Sequence, residues 1–176
     1  MNAFHQKFGK RHVVLPVIHV TSTRQALDNS GIALAAGADG VFLINHAMSS
    51  TELLATYAAV RAQFPEWWIG LNCLDLGPAE VFDRIPDSVD GVWTEDAMIE
   101  EVRKPQPAAE KILAARKGRG WKGLYFGGVA FKYQRRVSDL AAAAHKAMCY
   151  LDVVTTSGSN GVLVLGVNSR QLTFLG

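Results

Sequence analysis

The sequence lacks the features that mark disulfide-rich, membrane-spanning or secreted proteins. Only two cysteines occur in 176 residues, which excludes a disulfide-stapled scaffold and fits a reducing compartment. The longest aliphatic run covers residues 13–18, about a third of the roughly 20 apolar residues that a membrane helix needs. Although three basic residues precede it, this run is also too short for the apolar core of a signal peptide. We therefore expect a cytoplasmic protein without a membrane span.

An excess of charge of one sign is also absent. The chain has 18 basic and 16 acidic residues and a formal net charge of +2, so a nucleic-acid partner attracted by a basic surface is not expected. Hydrophobic residues make up 49% and charged residues 19%, which is too apolar for a disordered chain. The length suits one domain, and we treat residues 1–176 as a single domain.

Short apolar runs alternate with longer amphipathic stretches along the chain. The predicted strands are residues 12–20, 40–46, 68–73, 91–96, 123–132 and 152–157, and the predicted helices are residues 22–37, 50–64, 78–85, 107–117 and 137–150. Strands that are apolar throughout are buried on both faces, which is typical of a parallel sheet covered by helices. The sequence therefore predicts an α/β fold. A doubly wound sheet is the alternative, but no G-x-G-x-x-G fingerprint follows the first strand.

Internal echoes favour a barrel built from repeats. Asp39-Gly40-Val41 and Asp90-Gly91-Val92 match each other, and Asp152-Val153-Val154 is a weaker echo about two βα units further on. A closed (β/α)8 barrel needs at least about 200 residues, and only residues 161–167 resemble a strand after the sixth. We expect an incomplete TIM-barrel-like fold with about six βα units and a short C-terminal strand.

Polar residues cluster where the predicted strands end, which is where α/β folds bind ligands. The predicted ligand-binding residues are Asn45, His46, Asn72, Asp75, Glu95, Gln134, Thr155, Thr156, Ser157 and Gly158, and the predicted catalytic residues are Lys132, Asp96 and His19. The alternative for each is a loop residue that satisfies a backbone group. The run 155–161 is rich in glycine and hydroxyl groups, so it suits either a phosphate-binding loop or a plain turn.

Three of these side chains invite a specific chemistry. Lys132 follows a strand rich in glycine and aromatic residues, where an amine can lose its charge and act as base or nucleophile, or else simply bind an anion. His19 and His46 suit acid–base catalysis, metal binding or structural hydrogen bonds. No H-x-H or H-E-x-x-H spacing supports a metal site, so none is predicted, and no motif indicates a cofactor.

The segments VIHV (17–20), AGADGVFLINH (36–46), WIGLNCLDL (68–76), GVWTEDA (91–97), YFGGVAFKYQ (125–134) and DVVTTSG (152–158) resemble the BtpA/SgcQ family. This resemblance covers residues 12–158 and implies a TIM barrel similar to phosphate-binding barrels. One founding member of the family is associated with photosystem I biogenesis, and others lie among genes of sugar or nucleoside metabolism. The sequence departs from the family after Gly158, as a truncated barrel would, so residues 159–176 form an atypical tail.

The resemblance implies an enzyme acting on a phosphorylated sugar or nucleoside-like small molecule by an unspecified reaction. Two alternatives stand beside it: a non-catalytic biogenesis or assembly factor, and an inactive truncated fragment. An open barrel has exposed strand edges, so a homo-oligomer is a further possibility.

Overall fold

A computed structural model describes residues 3–131, 134, 136–158, 161–165, 167–168 and 171–172, with side chains up to residue 156. The strands are β1 (Val17–Val20), β2 (Gly40–Asn45), β3 (Trp68–Asn72), β4 (Gly91–Thr94), β5 (Leu124–Gly128), β6 (Val153–Gly158), β7 (Gly161–Leu165), β8 (Val167–Asn168) and β9 (Gln171–Leu172). The helices are α1 (Ala3–Phe8), α2 (Thr23–Ala35), α3 (Ser50–Gln63), α4 (Val81–Arg84), α5 (Pro107–Arg119) and α6 (Leu140–Ala147). None of these helices is long and apolar enough to cross a bilayer.

The first seven strands form one sheet in the order of the chain, and β8 and β9 form a separate two-stranded sheet. Each neighbouring pair from β1 to β6 is parallel. The predicted α/β fold with six parallel strands and their helices is therefore confirmed.

The short C-terminal strand is also present, but it runs antiparallel to β6. Only residues 159–160 separate β6 from β7, whereas a parallel connection needs a crossover of about a dozen residues or more. The register pairs Thr155 with Val164 and Gly158 with Gly161. Strand seven therefore extends the sheet without adding a seventh βα unit.

Several predicted boundaries were too wide. β1 begins at Val17 rather than residue 12, since Pro16 has no N–H to donate to a neighbouring strand. β5 ends at Gly128 rather than residue 132, and Ala130 with its φ of 54° turns the chain away from the strand direction. Of the helix predicted over residues 78–85, only Val81–Arg84 is helical. The N-terminal helix α1 was not predicted.

The sheet has an apolar layer on each face. Alternate strand residues such as Val41, Leu43 and Leu71 pack beneath the helices. The other set faces what would be the barrel interior and is aromatic: Phe42, Trp68, Trp93 and Phe126. We call this second surface the inner face. Its rings meet edge to face, with Phe42 centred 5.0 Å from both Trp68 and Phe126.

Helix α1 covers the amino-terminal end of the inner face. The ring of Phe8 lies 5.6 Å from that of Trp68, and the ring of Phe4 lies 6.4 Å from that of Phe126. The helix has no fully buried residue, and its two phenylalanines attach it to the sheet together with the ion pair of Lys7 with Asp90 at 2.9 Å.

The three repeated aspartates, Asp39, Asp90 and Asp152, make the same kind of contacts at the amino ends of β2, β4 and β6. Each carboxylate accepts a backbone N–H at or near the neighbouring odd-numbered strand, from Val14, Ile69 and Tyr125 respectively, at 2.8–3.0 Å. Each also pairs with a basic side chain: Asp39 with Lys10, Asp90 with Arg61, and Asp152 with Arg116. The repeat is thus a clamp between adjacent strands at the face of the barrel associated with stability.

The first of these clamps affects a pKa. Burial acts to raise the pKa of Asp39, but the hydrogen bonds from Lys10 and from the Val14 N–H, with the charge of Lys10, outweigh it and lower the pKa below its ordinary value. The ionised form of Asp39 is therefore the form that the fold favours.

Candidate functional site

The alternation of side chains along the strands divides the predicted site residues into two groups. His19, Asn72 and Thr155 belong to the inner-face set, whereas Asn45 and Thr156 share the helix-facing set with Leu43 and Val154. The register pairs His19 with Ile44 and Ile44 with Asn72, so one row of the inner face carries both His19 and Asn72. The structure therefore brings together only part of the predicted set.

His19 and His46 form a stacked pair at the carboxyl ends of β1 and β2. Their ring centres lie 4.7 Å apart, and the ring planes differ by 18°. Both side chains are exposed to solvent. The pair presents two imidazoles to a ligand approaching from the strand ends, each able to donate or accept a proton.

Asn72 lies deeper on the same face. It is 2% exposed, and its amide nitrogen Nδ2 has no hydrogen-bond partner among the described residues. A buried donor without a partner is rare in native proteins and calls for an explanation such as a ligand or ordered water. Asn72 therefore fits the ligand-positioning role predicted for it, which stays a prediction.

Asn45 and Asp75 are instead tied to each other. The Asn45 amide donates to Asp75 Oδ1 at 2.7 Å and to the Met48 carbonyl at 3.0 Å, and its oxygen accepts the Leu74 N–H at 2.8 Å. Asp75 also accepts the backbone N–H of Ser50 at 2.9 Å. These bonds join the loop after β2 to the loop after β3, so both residues have a structural task besides any ligand contact.

The hydrogen bonds set the charge of Asp75. Burial acts to raise its pKa, but the donors from Ser50 and Asn45 together lower the pKa below the ordinary value. The neighbouring Cys73 responds in the opposite direction, since burial and the charge of Asp75 raise the pKa of its thiol to about 12. Cys73 is therefore a buried thiol that the fold keeps protonated.

The residues after β4 also have defined contacts. Asp96 Oδ1 accepts the Met98 N–H at 2.7 Å, which supports Met98 at its φ of 56°. The Glu95 side chain is half-buried, and its carboxylate has no hydrogen-bond or salt-bridge partner within the described part of the chain. Of the two predicted carboxylates, Asp96 is therefore held by a hydrogen bond within the described part of the chain, whereas Glu95 is not.

Gln134 links this loop to the loop after β5. Its amide nitrogen donates to the Glu95 carbonyl at 2.6 Å, and its amide oxygen accepts the Phe131 N–H at 2.9 Å. Gly128 makes the close approach possible, because a Cβ at this position would overlap the Glu95 carbonyl. Gln134 thereby fixes the backbone at the ends of β4 and β5.

For three of the predicted site residues, the structure describes only the backbone or nothing at all. Lys132 is outside the described residues, and the strand that was expected to end there ends at Gly128. Ser157 and Gly158 are described in their backbone only. The predicted strand over residues 152–157 is observed as β6, which extends to Gly158 and pairs with β7 in a hairpin, so residues 155–158 of the run that suited a phosphate-binding loop or a turn lie in a strand. Thr156, on the helix-facing side, donates to the Ala130 carbonyl at 3.4 Å.

Sequence reasoning missed the side chains that hold the long loop between β4 and α5. Lys146 donates to the carbonyls of Glu101 and Arg103 at 2.5 and 2.8 Å, and the buried Gln106 donates to those of Glu100 and Arg103 at 2.6 and 2.7 Å. No sequence signal could have found Lys146, because its partners lie more than 40 positions away along the chain.

Within the described ranges, no three His, Cys, Asp or Glu side chains come close enough to share a metal ion.

Comparison with known proteins identifies a similar fold but no family. No family model and no curated protein matches the chain. A mandelate racemase/muconate lactonizing enzyme from Roseiflexus sp. aligns with a TM-score of 0.55 and 12% identity over 84% of this chain and 48% of its own. An unknown member of the enolase superfamily from Enterococcus faecalis V583 aligns with a TM-score of 0.47 and 12% identity over 72% and 33%. The chain therefore spans less than half the length of these barrel proteins and shares with the first a partial barrel fold.

Proposed function

We propose that the protein is a barrel-type enzyme of the BtpA/SgcQ kind that acts on a phosphorylated sugar or nucleoside-like molecule. The ligand would bind at the carboxyl ends of the parallel strands. The stacked pair of His19 and His46 is the observation that carries this proposal. Two exposed imidazoles at the ends of adjacent strands offer ring N–H donors on one side of the sheet, and a phosphate or sugar oxygen is a natural acceptor for them.

Asn72 adds a neutral donor below the histidine pair. Its amide nitrogen is buried and has no partner in the described part of the protein, so an acceptor oxygen of the ligand would satisfy it. A ligand held by Asn72 at one end and by the imidazoles at the other would lie along the row that starts at His19. This arrangement suits recognition of a polyhydroxylated molecule, whose oxygens both donate and accept hydrogen bonds.

Acid–base chemistry would use the ionisable groups around this row. His19 is the proton-transfer group that the geometry favours, because it is exposed, stands at a strand end and has a second imidazole beside it. Lys132 and Asp96 keep the catalytic roles proposed from the sequence. Glu95 is a further candidate, since its carboxylate is not committed to any described neighbour.

The proposal is tested by thermal unfolding followed through tryptophan fluorescence, with ribose 5-phosphate, glucose 6-phosphate and AMP as ligands. A ligand that binds only the native state at 100 times its Kd stabilises the fold by about 2.7 kcal/mol, which raises the unfolding temperature visibly. We expect one ligand class to raise it in the native protein and not in the double variant His19→Gln/His46→Gln. The matched control is His145→Gln, which changes an exposed imidazole on α6.

Three outcomes would contradict the proposal. The first is an equal rise in the double variant, which would place the ligand elsewhere. The second is the absence of any rise with a cooperative transition retained, which would favour the non-catalytic assembly role. The third is an absence of cooperative unfolding, which would favour the inactive fragment.

A further inference from the structure

The inner face carries a cavity of about 180 Å³ that shares only Thr155 with the predicted strand-end residues. Its walls are aliphatic and aromatic side chains of α1, the segment before β1, and strands β1, β2, β4 and β5, with one threonine from β6. The lining residues are Phe4, Val13, Leu15, Val17, Phe42, Trp93, Phe126 and Thr155. Protein interiors contain few voids larger than a water molecule, so a space of this size is unusual.

Two polar atoms in the cavity wall have no partner. Trp93 is 5% exposed and Thr155 is 2% exposed, and neither the indole nitrogen Nε1 nor the hydroxyl Oγ1 has a hydrogen-bond partner among the described residues. The indoles of Trp67 and Trp121, by contrast, donate to the carbonyls of Ala38 and Val89 at 3.1 and 3.0 Å. Buried indole and hydroxyl groups are normally hydrogen-bonded, so the cavity wall lacks an acceptor.

The size and lining of the cavity restrict what can supply that acceptor. An engineered cavity of about 150 Å³ with an apolar lining accommodates benzene, so this cavity has room for a six-membered ring with a small substituent. None of the described lining residues is charged, so a phosphate or carboxylate would lose its hydration without an opposite charge to replace it. The lining therefore favours an uncharged occupant.

We propose that this cavity is a binding site for a small, uncharged, mainly apolar molecule that carries a carbonyl or ether oxygen. The ring or short carbon chain packs against Phe42 and Phe126, and the oxygen accepts a hydrogen bond from the Trp93 indole or the Thr155 hydroxyl. This site shares only Thr155 with the predicted strand-end residues and none of His19, His46 and Asn72, and it selects a different chemical class, so it stands whether or not the proposed function does.

The test compares two probes of nearly the same shape. Cyclohexanone has a carbonyl oxygen where methylenecyclohexane has a CH2 group, so only the first can accept a hydrogen bond. Once the affinities are corrected for the different free energies of transfer of the two probes from water to alkane, we expect cyclohexanone to bind at least tenfold more tightly in a titration followed by the indole N–H signals in 1H–15N NMR spectra. The Trp93 signal, assigned with Trp93→Phe, should move, while those of Trp67 and Trp121 remain in place because their protons are already donated.

Variants at Thr155 provide the control. Thr155→Val keeps the shape and removes the hydroxyl, and we expect it to reduce the preference for cyclohexanone severalfold. Thr155→Ser keeps the hydroxyl and should retain the preference. Equal binding of both probes, or a Trp93 signal that does not move at saturation, would overturn the proposal. So would a cavity occupied by water alone, seen as water-to-indole transfer at Trp93 with neither probe binding.

Discussion

Adding one methyl group to Gly70 should destabilise the protein, because the rings of Phe42 and Trp68 occupy the space that it would take. Gly70 lies in β3, and a Cβ there would stand 2.6 Å from Cδ1 of Phe42 and 2.7 Å from Cη2 of Trp68, with Cε1 of Phe42 closer still. Both rings are held by further aromatic neighbours, so they cannot move independently. Overpacking of this kind costs about 1–3 kcal/mol. For a chain of this length, that lowers the unfolding temperature by about 2–4 °C per kcal/mol.

Gly31 provides the matched control for Gly70→Ala. It lies within α2, where the nearest atom to a new Cβ would be Cζ of Phe64 at 4.0 Å. The same methyl group should stabilise the protein there by about 0.5–1 kcal/mol, since alanine favours a helix interior over glycine. Chemical unfolding followed by tryptophan fluorescence measures both changes. Equal effects at the two positions, or a stabilised Gly70→Ala, would refute the packing described for the inner face.

Three further predictions concern charge and reactivity. Asp90→Asn should destabilise the fold by about 1–3 kcal/mol in urea unfolding, because Arg61, largely buried, loses its anionic partner; an unchanged stability would mean that this clamp contributes nothing. Because the folded-state pKa of Asp39 lies below its ordinary value of 3.8, its ionised form adds stability above that pH, and this contribution is lost as the pH falls below about 4. Unfolding curves from pH 5 to pH 2 should therefore decline less steeply for Asp39→Asn, and parallel curves would contradict the assignment. Iodoacetamide at pH 8 should modify the exposed Cys149 well before Cys73, because Cys73 is buried and the pKa of its thiol is raised to about 12. Mass spectrometry of the peptides measures the order of modification, and the reverse order would contradict the burial of Cys73.

The parallel part of the fold could be predicted because its signals are local. Runs such as residues 41–44 are apolar at every position, and the capping box of Ser49 and Glu52 marks the start of α3, where both of its hydrogen bonds form. These features act within a few residues of each other, so a single sequence contains them. The repeated aspartates Asp39, Asp90 and Asp152 could also be recognised in the sequence. Their structural role could not, because each carboxylate accepts a backbone N–H that lies 21–27 residues away along the chain.

The site was harder to predict because a strand end does not reveal which way a side chain points. Asn45 and Asn72 are the last residues of the apolar strands β2 and β3. Asn45 faces the helices and its side-chain amide donates to Asp75, whereas Asn72 faces the interior and its amide nitrogen has no partner among the described residues. Side chains alternate between the two faces of a strand, so the face of each asparagine can be assigned only once it is known that residues such as Phe42 and Trp68 lie on the inner face. Helix α1 was missed for a related reason, since six residues carry too little periodicity to indicate a helix, and its tertiary contacts, such as that of Phe8 with Trp68, cannot be read from the sequence.

The central claim is that His19 and His46 form one ligand-binding unit at the strand ends. Long-range 1H–15N NMR spectra of the imidazole rings test it directly, with ribose 5-phosphate as the ligand and single His→Gln variants for assignment. The chain has five histidines, so three rings serve as internal references. If the pair forms one unit, the signals of His19 and His46 move together as ribose 5-phosphate is added, with the same apparent affinity. The signals of His5, His12 and His145 stay fixed. Signals of the pair that do not move at saturating ligand, or that move no more than the other three, would contradict it.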